Sequence, residues 1–446
     1  MRLFLLGLLV CLSGGTASMA KAAPAFATFT TLASRQRINV PASSSVLMRR
    51  SSSLLLPLQL QPSPVEVLNV MFDDDSQKMC VFVKRDDKLD LMGAGIYGNK
   101  ARKLWALASS SSSSSAPFPS VCVSWGGPQS NALLALAGLV CGVWEKKLVY
   151  YTKSIPEWLK ARPLGNYQRA LELGVDFREL PAAEYRALFS TESEGGGGGA
   201  RRGAVERREG GGGKERTMTL TVSLKDLLIS QEDGSNEERG EEGHDVLLVP
   251  QGAAFQGAEE GLRLLAVEIK DWWGLEKSKM EAGMANGASL AVVLPAGTGT
   301  TALYLAKHLR RMARENGQGN GEIMVYAVPC VGDGEYLKSQ MARLSSSGGR
   351  EGGNMEEEDY VPHVLEGSVP HVFGKPEHGL LVIWQELKEE HGLELDLLYG
   401  PHAWRAMREN WGVLAARHRS VLYIHTGGME GLASQLARYR RLGMLK

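Results

Sequence analysis

The segment from residue 297 to residue 301 has the residue types of a phosphate site. It reads Gly297-Thr298-Gly299-Thr300-Thr301 and lies between an apolar run and a stretch with helical spacing. Backbone N–H groups left open by glycine, threonine hydroxyls and the start of a helix together bind phosphate. The segment has neither the Gly-Lys-Ser/Thr ending of a nucleotide P-loop nor the three-glycine dinucleotide spacing. It therefore predicts a site for an isolated phosphomonoester, with a tight turn that binds no ligand as the alternative.

A lysine suited to imine formation lies upstream, in the run Gly98-Asn99-Lys100-Ala101-Arg102-Lys103. The pattern places Lys100 at the start of a helix, with Arg102 and Lys103 beside it. Cationic neighbours and helix-end amides disfavour the ammonium form of Lys100, and a neutral amine is the nucleophile that forms an imine. On this segment alone, a solvated surface lysine is the alternative.

The run Gly126-Gly127-Pro128-Gln129-Ser130-Asn131 ends an apolar strand and begins a helix. Ser130 or Asn131 is the expected N-cap. Polar side chains at a helix N-terminus stabilise a carboxylate or a phenolate. The sequence is consistent with such an anion site and equally with a serine that only caps the helix.

Two later segments could complete a site for a flat ring. Tyr399 could cover a ring or act as an acid, or it could only pack in the core. Thr426 leaves a strand at Gly427-Gly428 and could hydrogen-bond a ring nitrogen without imposing charge. His425, a lone histidine at a strand end, is interpreted as structural.

Strands and helices alternate around these segments. Short apolar runs predict buried strands at residues 121–124, 147–151, 246–249, 290–294, 323–328 and 421–425. Apolar residues at three- and four-residue spacing predict helices at 131–141, 164–173, 257–273, 301–315 and 431–442. The alternation indicates an α/β chain with parallel sheets, whose ligands lie beyond the carboxyl ends of the strands.

The composition limits the classes of function. A chain of 446 residues is long enough for two lobes with substantial cores. Its 50 basic residues balance 50 acidic residues, which argues against nucleic acid or an anionic membrane surface as a partner. The five cysteines are scattered without a C-x-x-C pair, so neither a disulfide framework nor a metal site is predicted.

Residues 1–65 contain no Asp or Glu and are predicted to be a targeting leader. The apolar stretch at residues 3–12 is too short to span a bilayer and has the pattern of a signal peptide, and the Ser/Arg-rich tract after it has that of a transit peptide. A two-part leader of this kind favours a plastid, with mitochondrial import and secretion as alternatives.

Low-complexity stretches are predicted to be loop insertions that bury little apolar surface. They lie at residues 109–115, within 192–245, and at 345–359.

In this order, five motifs resemble those of the 1-aminocyclopropane-1-carboxylate deaminase and D-cysteine desulfhydrase family of pyridoxal-phosphate enzymes. The motifs are Lys-Arg-Asp-Asp at 84–87, Gly-Asn-Lys-x-Arg-Lys at 98–103, Gly-Gly-x-Gln-Ser-Asn at 126–131, the Gly/Thr loop at 297–301 and His-Thr-Gly-Gly at 425–428. The resemblance covers about residues 66–446 without the insertions. It implies a two-lobed α/β fold of the tryptophan synthase β type (fold type II), with parallel-rich sheets and pyridoxal 5'-phosphate between the lobes.

The resemblance also implies the lobe boundaries and the assembly. The small lobe is expected at about residues 105–230, and the large lobe at 66–104 and 246–446. A homodimer is expected, because members of the family are usually homodimers. The expected substrate is a small amino acid. No nucleic acid partner and no stable membrane span are expected.

Carried over residue by residue, the resemblance assigns roles to the candidate site residues. Lys100 binds the cofactor and then removes the Cα proton, Ser130 faces the substrate carboxylate and the reacting carbons, and Tyr399 lies beside the cofactor ring. Asn131 contacts the phenolic oxygen of the cofactor, and Thr426 lies near its pyridine nitrogen. The phosphate is held by Gly297, Thr298, Gly299, Thr300 and Thr301.

Two positions favour the desulfhydrase branch, in which D-cysteine gives pyruvate, ammonia and hydrogen sulfide. The deaminase branch has an acidic residue after the tyrosine and a leucine before the double glycine, whereas this chain has Gly400 and Thr426. The desulfhydrase branch usually has Ser or Thr directly after the tyrosine, followed by Gly-Lys. This chain has Gly400 and then Pro401-His402 at these positions, so it departs from the desulfhydrase branch too. 1-Aminocyclopropane-1-carboxylate deaminase is one alternative, and a catalytically inactive descendant that binds an anion or a partner is the other.

Overall fold

A computed structural model describes residues 60–70, 80–113, 119–189, 246–281, 289–317, 322–346 and 361–446. Nearly all of the expected leader, the insertion at 192–245 and most of the loop at 345–359 lie outside the described residues. The folded part was expected to begin at residue 66, but it includes residues just before this position. Ser63 is buried, and its hydroxyl donates to Asp86 at 2.6 Å.

Strands and α-helices alternate along the described ranges. The strands are β1 (Val65–Leu68), β2 (Cys80–Lys84), β3 (Val121–Trp125), β4 (Lys147–Lys153), β5 (Asp176–Leu180), β6 (Val246–Val249), β7 (Leu290–Ala296), β8 (Ile323–Pro329), β9 (His363–Val364) and β10 (Ser420–Ile424). The helices are α1 (Asn99–Ser113), α2 (Asn131–Ala137), α3 (Glu157–Ala161), α4 (Gly165–Glu172), α5 (Ala182–Phe189), α6 (Ala258–Glu281), α7 (Thr300–Glu315), α8 (Gly334–Ser346), α9 (His378–His391), α10 (Gly400–Glu409), α11 (Trp411–Ala415) and α12 (Leu432–Arg441).

The larger sheet has six strands in the order β1-β2-β10-β7-β8-β9, and all neighbours are parallel except β1 and β2. Its central strands are buried on both faces. Val81, Val293 and Tyr423 face a core covered by α9 to α12, and alternate residues such as Val292 and Leu422 face a second core covered by α6 to α8. Burial on both faces explains why these strands are continuous apolar runs in the sequence.

The smaller sheet is fully parallel, with the order β5-β4-β3-β6. Helices α1 and α2 pack on one face, and α5 packs on the other. Strand β6 was expected to begin the large lobe, but Val246 pairs with Val121 and Val249 pairs with Ser124. This boundary is corrected: without β6, one edge of β3 would have unpaired backbone groups.

One predicted loop is partly helical. The serine run at 109–115 was expected to be an insertion, but α1 continues to Ser113. Extending a helix that is already packed costs far less than nucleating one, so serines of modest propensity continue it. Within the described residues, no helix has both the length and the apolar character needed to cross a bilayer.

Candidate active site

The carboxyl ends of β3, β7 and β10 open into one cavity of about 600 Å³. Parallel strands direct their following loops to the same edge of a sheet, where ligands of α/β proteins bind. All ten candidate residues from the sequence line this cavity: Lys100, Ser130, Asn131, Gly297, Thr298, Gly299, Thr300, Thr301, Tyr399 and Thr426.

A close backbone contact places Lys100 in the cavity. Gly98 has φ +66°, and a Cβ there would overlap the carbonyl oxygen of Thr426. The same carbonyl accepts the N–H of Asn99 at 3.0 Å. Only glycine allows this approach, so the end of β10 is joined to the first turn of α1, and Lys100 projects from that turn.

Burial lowers the pKa of Lys100 to about 8, although the negative charges of Glu430 and Asp396 act in the opposite direction. The Lys100 amine donates to Asn99 Oδ1 at 2.8 Å. At pH 7 this amine is therefore uncharged in about one molecule in ten, and the uncharged amine is the form that acts as a nucleophile or a proton acceptor.

Arg102 was expected to disfavour the ammonium form of Lys100, and this expectation is wrong. Arg102 is fully buried behind the cavity, where its guanidinium donates to both oxygens of Asp86 at 2.7 Å and to Glu268 at 2.8 and 2.9 Å. Lys84 completes the cluster with a 2.6 Å ion pair to Glu268. The Lys-Arg-Asp-Asp run thus anchors the helix that presents Lys100.

The phosphate-type loop between β7 and α7 has the geometry of an anion cradle. Gly299 has φ +72° immediately before the first residue of α7, so the free N–H groups of this 16-residue helix face the cavity. The hydroxyls of Thr298 and Thr300 lie 2.8 Å apart, and Thr301 Oγ1 accepts from Asn99 Nδ2 at 3.5 Å.

Lys103 lines the same cavity, and the sequence singled it out only as a neighbour of Lys100. It is 3% exposed, and its amine donates to the carbonyl of Gly252 at 3.1 Å. Gly252 packs against Thr298, because a Cβ at Gly252 would lie 3.0 Å from the threonine methyl. Burial, and to a lesser degree the charge of Lys100, lowers the pKa of Lys103. Three-residue spacing puts both lysines on one helix face, which was the signal available in the sequence.

The turn after β3 presents one capping residue and one directed amide. Ser130 Oγ accepts the N–H groups of Ala132 at 3.2 Å and Leu133 at 3.4 Å, so it caps α2. Asn131 Oδ1 accepts from the side chain of Asn166 at 2.7 Å. Ser130 thus has a structural role at a position that also faces the cavity.

Tyr399 lines the cavity beside the phosphate-type loop. Its ring faces Gly297, where a Cβ would lie 3.6 Å from Tyr399 Cε1. Asp396 holds the turn by accepting the N–H groups of Leu398 at 2.9 Å and Tyr399 at 2.8 Å. Burial raises the pKa of Asp396 to about 6 despite these hydrogen bonds.

Of two ionisable residues that follow β10, His425 has a structural role and Glu430 lines the cavity. His425 is buried and bonds to the carbonyl of Glu394 at 2.8 Å, in agreement with its structural interpretation. Glu430, which belongs to none of the motifs singled out above, lines the cavity. Burial raises the pKa of Glu430, while Arg169 and Lys100 oppose the rise.

These groups fit a flat, phosphorylated cofactor that joins a lysine. A partly neutral amine, an amide, a hydroxyl-lined helix start and a second amine share one cavity, which is the donor set such a molecule requires. In the part of the chain that the structure describes, no cluster of three or more His, Cys, Asp or Glu could hold a metal ion.

Comparison with known proteins gives one curated relative and several solved structures. No protein-family model matches the chain. A putative 1-aminocyclopropane-1-carboxylate deaminase of Thermotoga maritima is 24% identical over 389 residues, which cover 86% of this chain and 99% of the relative.

Among solved structures, an ACC deaminase homologue superposes with a TM-score of 0.55 and 19% identity, over 87% of this chain and 96% of that chain. The processed form of threonine deaminase isoform 2 from Solanum lycopersicum gives a TM-score of 0.44 and 12% identity, over 85% and 84% of the two chains. The likeness to the first structure confirms the fold class predicted from the sequence.

Proposed function

We propose that this chain, a pyridoxal-phosphate enzyme of fold type II, is a lyase that eliminates the β-substituent of a small amino acid and releases ammonia, with D-cysteine as its substrate. One observation carries the proposal. Lys100, whose pKa is lowered to about 8, shares one cavity with the loop 297–301 and Asn131.

The residues divide between holding the cofactor and handling the substrate. The N-terminus of α7, with its threonine hydroxyls and Lys103, would hold the phosphate. Asn131 would donate to the phenolic oxygen, Thr426 would bond the ring nitrogen, and Tyr399 would lie beside the ring. When bound, pyridoxal phosphate withdraws electrons from the Cα of the attached amino acid.

Proton transfer falls to Lys100. Its amine, when uncharged, accepts the Cα proton, and the Ser130 hydroxyl, which accepts from the first N–H groups of α2, would donate its own proton to the substrate carboxylate. Loss of that proton is coupled to cleavage of the Cβ–S bond, and hydrosulfide leaves with the bonding electrons. The released aminoacrylate takes up water and gives pyruvate and ammonia.

Two features support D-cysteine over a cyclopropane substrate. A Cβ at Gly400 would lie 2.6 Å from the Cβ of Leu395, so an acidic side chain at this place would require the turn to shift. Thr426 is neutral, and a neutral partner of the ring nitrogen suffices when a thiolate leaves readily. The name of the Thermotoga relative makes 1-aminocyclopropane-1-carboxylate deaminase the second candidate.

The test combines cofactor binding with substrate choice. The purified full chain should bind pyridoxal phosphate with a visible absorption band that is lost in Lys100→Ala and kept in Lys146→Ala, a change at an exposed lysine. Wild type is then assayed in parallel with D-cysteine, L-cysteine, D-serine and 1-aminocyclopropane-1-carboxylate. Equal amounts of pyruvate and sulfide from D-cysteine support the proposal.

Other outcomes select the alternatives. Oxo-acid release from the cyclopropane substrate alone would establish the deaminase. A protein that binds no cofactor and releases no oxo acid from any substrate would refute the lyase and favour an inactive descendant.

A further inference from the structure

Asn166, at the start of α4, is fully buried beside the candidate site. Its Nδ2 donates to the Asn131 side-chain oxygen at 2.7 Å and to the backbone carbonyl of Gln129 at 3.1 Å. The Gln129 side chain ties the same two segments together, because its oxygen accepts the Asn166 N–H at 3.0 Å and its nitrogen donates to the Leu164 carbonyl at 2.9 Å. The first turn of α4 is thus fixed against the turn that carries Asn131.

The orientations of the two amides follow from this network. An amide oxygen and an amide nitrogen have almost the same shape, so their places are assigned from hydrogen-bond partners. The carbonyl of Gln129 can only accept, so the group facing it must be the nitrogen of Asn166. That nitrogen also faces Asn131, whose nearer atom must then be its oxygen. The N–H groups of Asn131 are therefore directed away from Asn166.

The other side of Asn131 faces the cavity and the double-glycine turn. A Cβ at Gly428 would lie 2.7 Å from Asn131 Nδ2, and Asn131 lines the cavity. The amide therefore presents a hydrogen-bond donor to the cavity. Reversing Asn131 would place two donors against each other at Asn166.

The orientation has an energetic cost within Asn166 itself. Its own Oδ1 is buried without a hydrogen-bond partner among the described residues, and a buried unpaired oxygen destabilises the fold. A side chain selected for stability alone would not need this arrangement. Because its two donor bonds both serve the turn at 129–131, the function of Asn166 lies in that turn.

We propose that Asn166 is a positioning residue that fixes the N–H groups of Asn131 toward the cavity, so that this end of the site binds an oxyanion and disfavours a protonated hydroxyl. The inference rests on the proposed function, because the oxyanion is taken to be the phenolic oxygen of the cofactor. Asn166 acts through Asn131 and need not contact the cofactor.

The test measures cofactor affinity and the cofactor's spectrum. Asn166→Leu removes both donors with little change in size and no change in charge. Asn410→Leu is the matched control, because the Asn410 side chain also donates to two carbonyl oxygens, those of Glu366 and Ala406, in a part of the chain that does not line the cavity. Each apoprotein is titrated with pyridoxal phosphate, and the visible band of the bound cofactor is followed against pH.

Asn166→Leu should weaken binding about tenfold to hundredfold, the usual effect of losing a hydrogen bond to a charged group. It should also raise the pH at which the visible band titrates, because a less stabilised phenolate holds its proton more tightly. Asn410→Leu should stay within about twofold of wild type. In an Asn131→Ala background, Asn166→Leu should cause no further loss, because its effect passes through that amide.

The inference would be overturned if Asn166→Leu bound pyridoxal phosphate with wild-type affinity and its visible band titrated at the wild-type pH. It would also be overturned if Asn166→Leu reduced the affinity in the Asn131→Ala background by the same factor as in the wild type. If Asn166→Leu does not fold, Asn166→Ala is measured with the same two outcomes. Failure of the wild type itself to bind pyridoxal phosphate would refute the proposed function and this inference with it. A wild type that binds the cofactor, with Asn166 variants that match it, would overturn this inference and leave the proposed function standing.

Discussion

The titration of Lys100 in the apoprotein is the sharpest test of the electrostatics of the site. Burial lowers the pKa of this amine to about 8 from an ordinary value of 10.5. At pH 7 an amine with a pKa of about 8 is neutral in about one molecule in ten, whereas an unperturbed lysine is neutral in about three in ten thousand. Reactions that need the neutral amine should therefore run about 300-fold faster at Lys100 than at a solvated lysine of equal intrinsic reactivity.

The informative perturbation is Glu430→Gln, which removes a negative charge while keeping the shape of the side chain. The negative charge of Glu430 raises the pKa of Lys100, so its loss should move the pKa below about 8 and speed cofactor capture at pH 7. Glu335→Gln, at a residue 83% exposed that does not line the cavity, is the control and should leave the pKa unchanged.

The assay is the rate at which the visible band appears when apoprotein is mixed with pyridoxal phosphate, measured from pH 6 to pH 11. Comparing variants with one aldehyde cancels the titration of the aldehyde itself. A wild-type midpoint near pH 10.5 would refute the claim that burial governs this amine. A midpoint that rises in Glu430→Gln would refute the assigned role of Glu430.

Four further changes have expected outcomes. Because the pKa of Lys100 is lowered by folding, the unfolded chain binds more protons than the folded chain between pH 8 and 10.5, and this residue makes the free energy of unfolding rise with pH across that window. At pH 7 the buried ammonium destabilises the fold, so Lys100→Met should stabilise the apoprotein by up to about 3 kcal/mol in thermal unfolding. An unchanged Tm would contradict this. Lys103→Met should weaken binding of pyridoxal phosphate about tenfold or more but leave pyridoxal, which lacks the phosphate, nearly unaffected in the same titration; equal losses for both ligands would place Lys103 elsewhere. Gly428→Ala, at φ +94° and with its new methyl against an amide of the site, should lower soluble yield or cofactor affinity, and normal values of both would show that the turn can relax. In urea unfolding, Arg102→Ala should lower the free energy of unfolding by about 3–5 kcal/mol, because it leaves buried carboxylates without their partner. The control Arg311→Ala, at an exposed ion pair, should lower it by less than about 1 kcal/mol. Similar losses in the two variants would refute the stabilising role of the buried cluster.

The candidate residues of the cavity and most of the strands around it could be predicted from the amino-acid sequence. The six predicted strands agree with the structure to within two residues at each end, because burial on both faces of a parallel sheet requires a continuous apolar run, which is visible in the sequence. Glycines at the strand ends mark the turns, and the polar residues after them reach one cavity because parallel strands share a carboxyl edge.

The predictions failed where the signal is short or mixed. Strand β5 has the sequence Asp-Phe-Arg-Glu-Leu. Charged side chains are expected on a strand at the edge of a sheet, so this strand lacks the continuous apolar run from which the other strands were predicted. Strand β6 was found from its residues but assigned to the wrong sheet, because a strand's composition does not encode which partner it pairs with.

The distant groups that act on the site became visible only in the folded chain. Asn166 orients Asn131 from a different helix, Glu430 acts on the charge of Lys100 from the far end of the chain, and Arg102 turns away from Lys100 toward Glu268. None of these relations has a period or a spacing in the sequence. They arise from burial, because a polar group removed from water must find its partner wherever the fold brings one within reach.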